Sequence, residues 1–174
     1  ESNHELMGKL INHYYSIRAG IGLNKGPELY GAFPFDPYSH TPWGQGVKQP
    51  GMTGQVKEDI LNRWAELGMQ VTDGKIVFDP FFFDRKELLQ DSVVFKYYNH
   101  KGDKKQVELN AGEMAFTFNG VLVRFRKAEE ASLEIIDEKN RRIAMSDLSL
   151  DQEYCQALWS RRHQYTELRF SFPF

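Results

Sequence analysis

Apolar residues near the start of the chain recur at the spacing of a helix. Leu6, Leu10, Tyr14 and Ile17 are separated by four, four and three residues. This spacing places them on one side of an α-helix. We therefore expect an amphipathic helix over residues 4–17, ended by the glycines that follow it.

A second helix is predicted over residues 53–67. Thr53 is suited to the N-cap, and Gly68 to the left-handed position that follows a helix. The apolar residues between them keep helical spacing: Val56, Ile60, Leu61, Trp64 and Leu67. We expect Trp64 to be buried together with Ile60 and Leu61.

From about residue 70 the hydrophobic period changes to two, which predicts short strands. The predicted strands are Lys75–Phe78, Val93–Tyr98, Val107–Leu109, Met114–Phe118, Val121–Phe125, Leu133–Ile136, Arg142–Met145 and Glu167–Phe172. Asn119–Gly120 separates two alternating runs and is the strongest hairpin signal in the chain. Phe116 and Phe118 should share a face of that hairpin. The segment Leu150–Trp159 fits either a helical turn or an irregular excursion.

These elements predict an α+β chain, in which two helices and a long ordered loop pack on a C-terminal antiparallel β-sandwich. The predicted division is a helix-loop-helix segment over residues 1–69 and a β-sandwich module over residues 70–174. Two helices cannot bury a core of their own, and the first begins almost at residue 1. We therefore expect a C-terminal piece of a larger protein, with residues 1–69 ending a larger helical domain.

The loop over residues 18–52 is the first place to look for a site. It holds five of the seven prolines but also several aromatic residues, which a disordered linker would lack. Long ordered loops are often functional. The candidate binding residues in it are Lys25, Tyr30, Asp36, Tyr38, His40, Trp43 and Gln49.

Aromatic rings mixed with planar polar groups suit a sugar, whose C–H faces stack while its hydroxyls form hydrogen bonds. Asp36 and His40 could instead share a proton or hold a metal, or Asp36 could simply cap a turn. Glycoside hydrolysis needs two carboxyl groups flanking one bond. The carboxylates near the loop are Glu28, Asp36, Glu58 and Asp59, and their spacing selects no pair.

Other classes of function find less support. The formal net charge of −2 argues against a nucleic-acid surface, and Arg161–Arg162–His163 is interpreted as a solvated turn. No apolar run long enough to span a membrane exists, and no signal peptide is visible. The lone Cys155 is interpreted as a buried structural thiol. Neither metal ligands nor a phosphate-binding glycine motif has the required spacing, so we expect no metal and no cofactor.

The run SIRAGIGLNKGPELYGAFPFDPYSHTPWGQGVKQPGMTGQVKEDILNRWAELGM resembles the end of the helical region of large bacterial proteins. Those proteins are similar to the six-hairpin (α/α)6-toroid carbohydrate enzymes, namely glycoside hydrolases and phosphorylases. The stretch EMAFTFNGVLVRF, residues 113–125, looks like part of the β module that flanks such a toroid. No catalytic acid or base of these enzymes can be matched to a position in this chain.

The resemblance implies the C-terminal part of a carbohydrate-active enzyme, with the loop forming part of a glycan site. The alternative is a non-catalytic module that binds glycan or has a structural role. The expected partners are an oligosaccharide and the helical remainder of the parent polypeptide, and 174 residues alone would be inactive. For location, we expect the bacterial periplasm or secretion.

Overall fold

The computed structural model describes residues 3–18 and 53–173. The chain forms two compact units, Glu1–Arg63 and Trp64–Phe174. The helices within these described residues are α1 (Asn3–Arg18), α2 (Thr53–Glu66) and α3 (Gln152–Trp159). Helices followed by a strand-rich segment make this an α+β chain, as predicted.

Nine strands follow α2 along the chain. They are β1 (Met69–Thr72), β2 (Lys75–Phe78), β3 (Val93–Tyr98), β4 (Lys104–Leu109), β5 (Glu113–Phe118), β6 (Val121–Lys127), β7 (Ser132–Asp137), β8 (Arg142–Ala144) and β9 (Tyr165–Phe172). Two short 3-10 turns, Pro80–Phe82 and Arg85–Glu87, lie between β2 and β3. The strands form a five-stranded sheet and two separate hairpins, β1–β2 and β3–β4.

The end of α2 is set by Gly68, as predicted. Gly68 has φ of +68°, and a Cβ there would lie 2.4 Å from the carbonyl oxygen of Asp79. The Asp79 N–H donates to the Gly68 carbonyl at 2.7 Å. Only glycine combines the left-handed backbone with so close an approach, so the helix ends where the chain turns into β1.

The prediction for Trp64 is only partly confirmed. Trp64 is half-buried and packs on the core of the second unit, with its ring centroid 5.4 Å from that of Phe118. Ile60 and Leu61, however, are 48% and 61% exposed, so their predicted burial is wrong. Both residues precede Trp64 on α2 and belong to the first unit.

The five-stranded sheet has the order β5-β6-β9-β7-β8. The hairpin at Asn119–Gly120 is confirmed, with Phe118 paired to Val121. The predicted all-antiparallel arrangement is wrong at one place, because β6 and β9 run parallel. The last strand of the chain inserts between β6 and β7, and its direction there matches that of β6.

One face of this sheet carries the core. Phe118, Val123, Phe125, Leu133, Ile135, Leu168 and Phe170 are all buried and belong to a single apolar cluster. Met114 and Phe116 pack on the same cluster, which confirms that Phe116 and Phe118 share a face. The rings of Phe125 and Phe170 lie 5.3 Å apart, edge to face. Such pairs add to the hydrophobic stabilisation of a core.

The cluster is completed by the β1–β2 hairpin and α3. Ile76 and Phe78 of β2 are buried in it, as are Cys155 and Leu158 of α3. β2 is also held from its other side, since its Phe78 N–H donates to the Leu148 carbonyl at 2.8 Å. Of the two interpretations left open for Leu150–Trp159, a helix is the correct one.

The opposite face of the sheet is more polar, since it combines charged residues with the buried Leu122 and Ile136. The cross-strand register places Arg124 of β6, Arg169 of β9 and Glu134 of β7 in one row. Their side chains are only 12–24% exposed. Strict alternation along the strands separates this charged row from the apolar face, so the sheet has a second, partly covered side.

Candidate functional site

The loop chosen from the sequence lies outside the described residues. This applies to the whole set of candidate binding residues: Lys25, Tyr30, Asp36, Tyr38, His40, Trp43 and Gln49. Glu28 also lies outside them. Glu58 and Asp59 belong to α2. The structure describes the helix at these positions but not their side chains. The glycan site of residues 18–52 therefore stays a prediction.

The described part of the chain offers a different surface on the β3–β4 hairpin. Its outer face is formed by Val94, Lys96 and Tyr98 of β3 and by Lys104, Gln106 and Glu108 of β4. All six side chains are exposed. Tyr98 is 65% exposed and lies directly opposite Lys104, while Lys96 lies opposite Gln106. Next to the turn, the outer face thus presents one aromatic ring beside two cations and an amide, while Glu108 lies at its other end.

The inner face of the same hairpin is directed at the polar side of the sheet. The Phe95 and Tyr97 rings are stacked with their centroids 5.9 Å apart, and Leu109 is 2% exposed. Burial, with the nearby charge of Glu167 on β9, raises the pKa of Tyr97. The hairpin therefore has a packed side and an exposed side, which fixes the direction of Tyr98.

Arg124 anchors the far end of the hairpin. Its Nη2 donates to the Glu108 carbonyl of β4 and, at 2.8 Å, to Oε2 of Glu113 on β5. Beside it, Arg169 Nε donates to Glu167 Oε1 at 2.7 Å. A partly buried guanidinium needs such partners, because leaving a charge unpaired away from water is costly. Arg124 thus connects the far end of the hairpin to β5 and β6 of the sheet.

The near end of the hairpin meets three other connections of the fold. Four connections meet here, and together we call them the turn cluster. They are the β3–β4 turn (99–103), the β5–β6 turn (119–120), the β7–β8 turn (137–141) and the α3–β9 connection (160–164). Asn119 Nδ2 donates to the Leu158 carbonyl at 3.4 Å, which joins the second of these to α3. Lys101 and Glu138 form an ion pair that joins the β3–β4 turn to the β7–β8 turn.

Two histidines face each other in the turn cluster. The ring centroids of His100 and His163 are 4.3 Å apart, and the His163 ring also stacks on Tyr165 at 5.3 Å. His163 is 5% exposed. His100 Nδ1 and His163 Nε2 are buried and have no hydrogen-bond partner among the described residues. Burial, and next the neighbouring His100, lower the pKa of His163.

The hydrogen bond made by His163 assigns its tautomer. Its Nδ1 accepts a hydrogen bond from the Tyr165 N–H at 3.2 Å. A nitrogen that accepts carries no proton, so the proton of the neutral ring lies on Nε2. The interpretation of Arg161–Arg162–His163 as a solvated turn is therefore wrong for His163, although both arginines are exposed.

Asp137 organises the β7–β8 turn that faces this pair. Its Oδ1 accepts from the backbone N–H groups of Lys139 and Arg141, and its Oδ2 accepts from Arg141 Nε at 2.7 Å. These hydrogen bonds hold the pKa of Asp137 below its usual value, and the one from the Arg141 backbone N–H has the largest effect. The ionised carboxylate thus acts as the structural centre of the turn.

Cys155 is buried in the core, where the Ile76 N–H donates to its Sγ at 3.3 Å. Burial raises the pKa of the thiol. Because only the thiolate is a good nucleophile, this cysteine has a structural role, as its apolar surroundings in the sequence indicate.

A small cleft of about 60 Å³ opens between the first 3-10 turn and the end of β9, lined by Pro80, Phe83, Arg85, Phe172 and Pro173. Pockets for drug-sized ligands occupy about 300–1,000 Å³. This cleft has room for a few water molecules and does not suit a sugar ring.

Within residues 3–18 and 53–173, no group of three or more histidine, cysteine or acidic side chains is placed to hold a metal ion. None of the helices described there has the length and apolar character needed to cross a bilayer. A scan against protein-family models finds no match, and a comparison with curated proteins finds none either.

Sequence reasoning did not select Tyr98, His100 or His163. Tyr97 and Tyr98 are adjacent in an apolar run, and only the register of β3 decides which of them faces outward. The two histidines are far apart in sequence, so no local spacing could pair them. A usable signal was the turn at His100–Gly102, which places one histidine at the tip of a hairpin.

Proposed function

We propose that the chain belongs to a carbohydrate-active protein and that residues 64–173 serve as its accessory module. In this proposal the outer face of the β3–β4 hairpin binds an acidic oligosaccharide. The observation that carries it is Tyr98, an aromatic ring 65% exposed on a hairpin whose other side is packed. The five-stranded sheet and this hairpin would together form the small β-sandwich expected beside a helical domain.

The shape of the outer face suits an extended sugar chain. Side chains directly opposite on paired strands have Cβ atoms about 4.5–5.5 Å apart, and diagonal neighbours lie about 7–8 Å apart. The ring of Tyr98 can therefore stack on one sugar while Lys104, Lys96 and Gln106 reach its substituents. Because Arg124 and the turn cluster anchor the hairpin, the strands that carry these groups are held in place before a ligand arrives, which favours binding.

The charges of the outer face favour an acidic sugar. Neither Lys96 nor Lys104 forms an ion pair with another described residue, whereas Lys101 pairs with Glu138 and Lys105 with Asp103. The outer face also carries Glu108, so it presents two cations against one anion. The ammonium groups of Lys96 and Lys104 are the ones beside Tyr98, where they attract carboxylate or sulfate substituents. We therefore propose a uronic-acid or sulfated oligosaccharide as the ligand class.

A second candidate function is that of an enzyme part, with residues 18–52 forming one wall of a glycan site. The composition of that loop supports it, since Tyr38 and Trp43 stand among Asp36, His40 and Gln49. In that case the hairpin would be a structural support for a neighbouring helical domain.

A glycan array separates these functions. The 174-residue chain, Tyr98→Ala and Asp36→Asn are applied to arrays carrying uronic-acid, sulfated and neutral oligosaccharides. Phe81→Ala is the control, because Phe81 is 43% exposed on the same unit but lies off the hairpin. We expect retention on acidic sugars, lost in Tyr98→Ala and kept in Phe81→Ala and Asp36→Asn. Loss in Asp36→Asn alone would favour the loop, and no retention by the unchanged chain would contradict glycan binding.

A further inference from the structure

The His100–His163 contact is built in a way that an added proton would break. The His163 ring is 95% buried, and its Nε2 carries the proton of the neutral form because Nδ1 accepts from the Tyr165 N–H. A second proton has to bind at Nδ1. The new N–H at Nδ1 would then face the N–H of Tyr165, and the hydrogen bond that orients the ring would be lost.

The charges around His163 do not compensate for a positive ring. The His100 ring lies 4.3 Å away and Lys101 is on the same β3–β4 turn, and both oppose the charge. Glu138 favours it, but this carboxylate is already paired with Lys101. Other titratable groups near this region are Tyr165 on β9, Tyr154 and Glu153 on α3, and Lys105 on β4. Within the turn cluster, the carboxylates of Asp103 and Asp137 are paired with Lys105 and Arg141, and the α3–β9 connection adds two exposed cations, Arg161 and Arg162.

The two phenols supply no negative charge. Burial raises the pKa of Tyr165 and of Tyr154, so both rings stay neutral throughout the acid range. Glu153 is exposed on α3. An imidazolium at His163 would thus be largely buried beside a second imidazole, and Glu138, the carboxylate that favours its charge, is shared with Lys101.

We infer that His163 is an acid-sensitive latch for the β3–β4 hairpin. In its neutral form it seats His100 and holds the hairpin turn on the turn cluster. When it takes up a proton, the turn lifts from the cluster and the ring reaches water. This inference rests on the histidine geometry and is independent of whether the hairpin binds glycan.

The direction of the pH effect follows from linkage. The pKa of His163 is lowered in the closed structure from an ordinary value of 6.5. As the pH falls below about 6.5, the open form therefore binds the proton before the closed form does. Each further pH unit favours opening by up to about tenfold, until the closed form is protonated as well. Above this range the balance between the closed and open forms no longer depends on the protonation of His163.

A transition-metal site at the same pair is the competing interpretation, and the tautomer argues against it. A metal needs a lone pair on His163 Nε2, which carries the proton while Nδ1 accepts from Tyr165. Zinc chloride at pH 7.5 should therefore leave the hairpin unchanged. Increased protection of residues 93–109 with zinc would overturn the tautomer assignment and with it the latch.

Hydrogen–deuterium exchange tests the latch in the 174-residue chain at pH 7.5 and 5.5, with correction for the intrinsic exchange rate. The variant is His163→Asn, whose Oδ1 can still accept from Tyr165 but cannot titrate. The matched control is His13→Asn, since His13 is exposed on α1. We expect acid to lower protection of residues 93–109 several-fold in the unchanged chain and in the control, with no change in His163→Asn.

Three results would overturn the inference. In the first, protection of residues 93–109 in the unchanged chain does not depend on pH. In the second, β6 and β9 lose as much protection in acid as these residues do. In the third, His163→Asn responds to acid as the unchanged chain does. If that variant does not fold, the ring signals of His163 are titrated by NMR in the unchanged chain. The amides of residues 99–103 should shift with the same midpoint as this ring, and amides that do not shift would contradict the latch.

Discussion

Gly120 lies directly against the backbone of His100. A Cβ built on Gly120 would come within 2.3 Å of the His100 backbone nitrogen, and the φ of Gly120 is +79°. The turn that closes the β5–β6 hairpin therefore supports the turn that closes the β3–β4 hairpin. This close approach connects the strongest local signal of the sequence, Asn119–Gly120, to a contact that no local signal indicates.

The first prediction concerns that contact. Gly120→Ala should destabilise the second unit more than Gly102→Ala, although both glycines have φ near +80°. The left-handed backbone costs about 1–2 kcal/mol in either variant. Gly102 has open space around it, whereas Gly120→Ala must also displace backbone, at a further cost of about 1–3 kcal/mol. Chemical denaturation followed by circular dichroism measures both, and equal losses would contradict the packing of the two turns.

The second prediction concerns the end of α2. Trp64 and Trp159 both meet the edge of Phe118, at 5.4 and 5.3 Å. Trp64→Ala should lower the free energy of unfolding by about 3 kcal/mol, the lower end of the range for core aromatic residues. Leu61→Ala, at a 61% exposed position, should change it by less than about 0.5 kcal/mol. A similar effect of both changes would show that the last turn of α2 has no special role.

The third prediction is a pH dependence at Asp137. Its pKa is lowered in the folded state, so its stabilisation is complete above the unfolded value, near 3.8. It is lost as the pH falls through the folded value. Asp137→Asn should therefore be less stable than the unchanged chain at pH 7, with a smaller difference at pH 3. Asp91→Asn, at an exposed position, is the control. If the stability difference between Asp137→Asn and the unchanged chain does not vary with pH, the ionised carboxylate is not what stabilises the turn.

The sequence predicted the elements better than their arrangement. Alternation identified β6 and β9, and Asn119–Gly120 identified the hairpin, because both signals are local. β1 was missed, since four residues directly after a helix give too short a pattern. The parallel pairing of β6 with β9 was also missed, because β7, β8 and α3 separate the two strands in the sequence and no local pattern pairs them.

The candidate sites illustrate the same limit. The loop over residues 18–52 stands out by composition, which needs no knowledge of the fold. Tyr98 becomes a candidate only once the register shows that Tyr97 faces inward. His163 becomes one only once β9 brings it to the β3–β4 turn. Composition can thus suggest the chemistry of a site, whereas convergence of distant residues depends on packing.

The fourth prediction tests the central claim most directly. Isothermal titration compares an oligogalacturonide with its methyl-esterified form, which keeps the sugar faces but lacks the charge. The unchanged chain should bind the acid at least about tenfold more tightly, equal to about 1.4 kcal/mol. Lys96→Gln with Lys104→Gln should abolish this preference, while the exposed control Lys86→Gln should keep it. Equal affinity for both ligands, or a preference that survives loss of both lysines, would contradict binding of acidic glycan on the outer face.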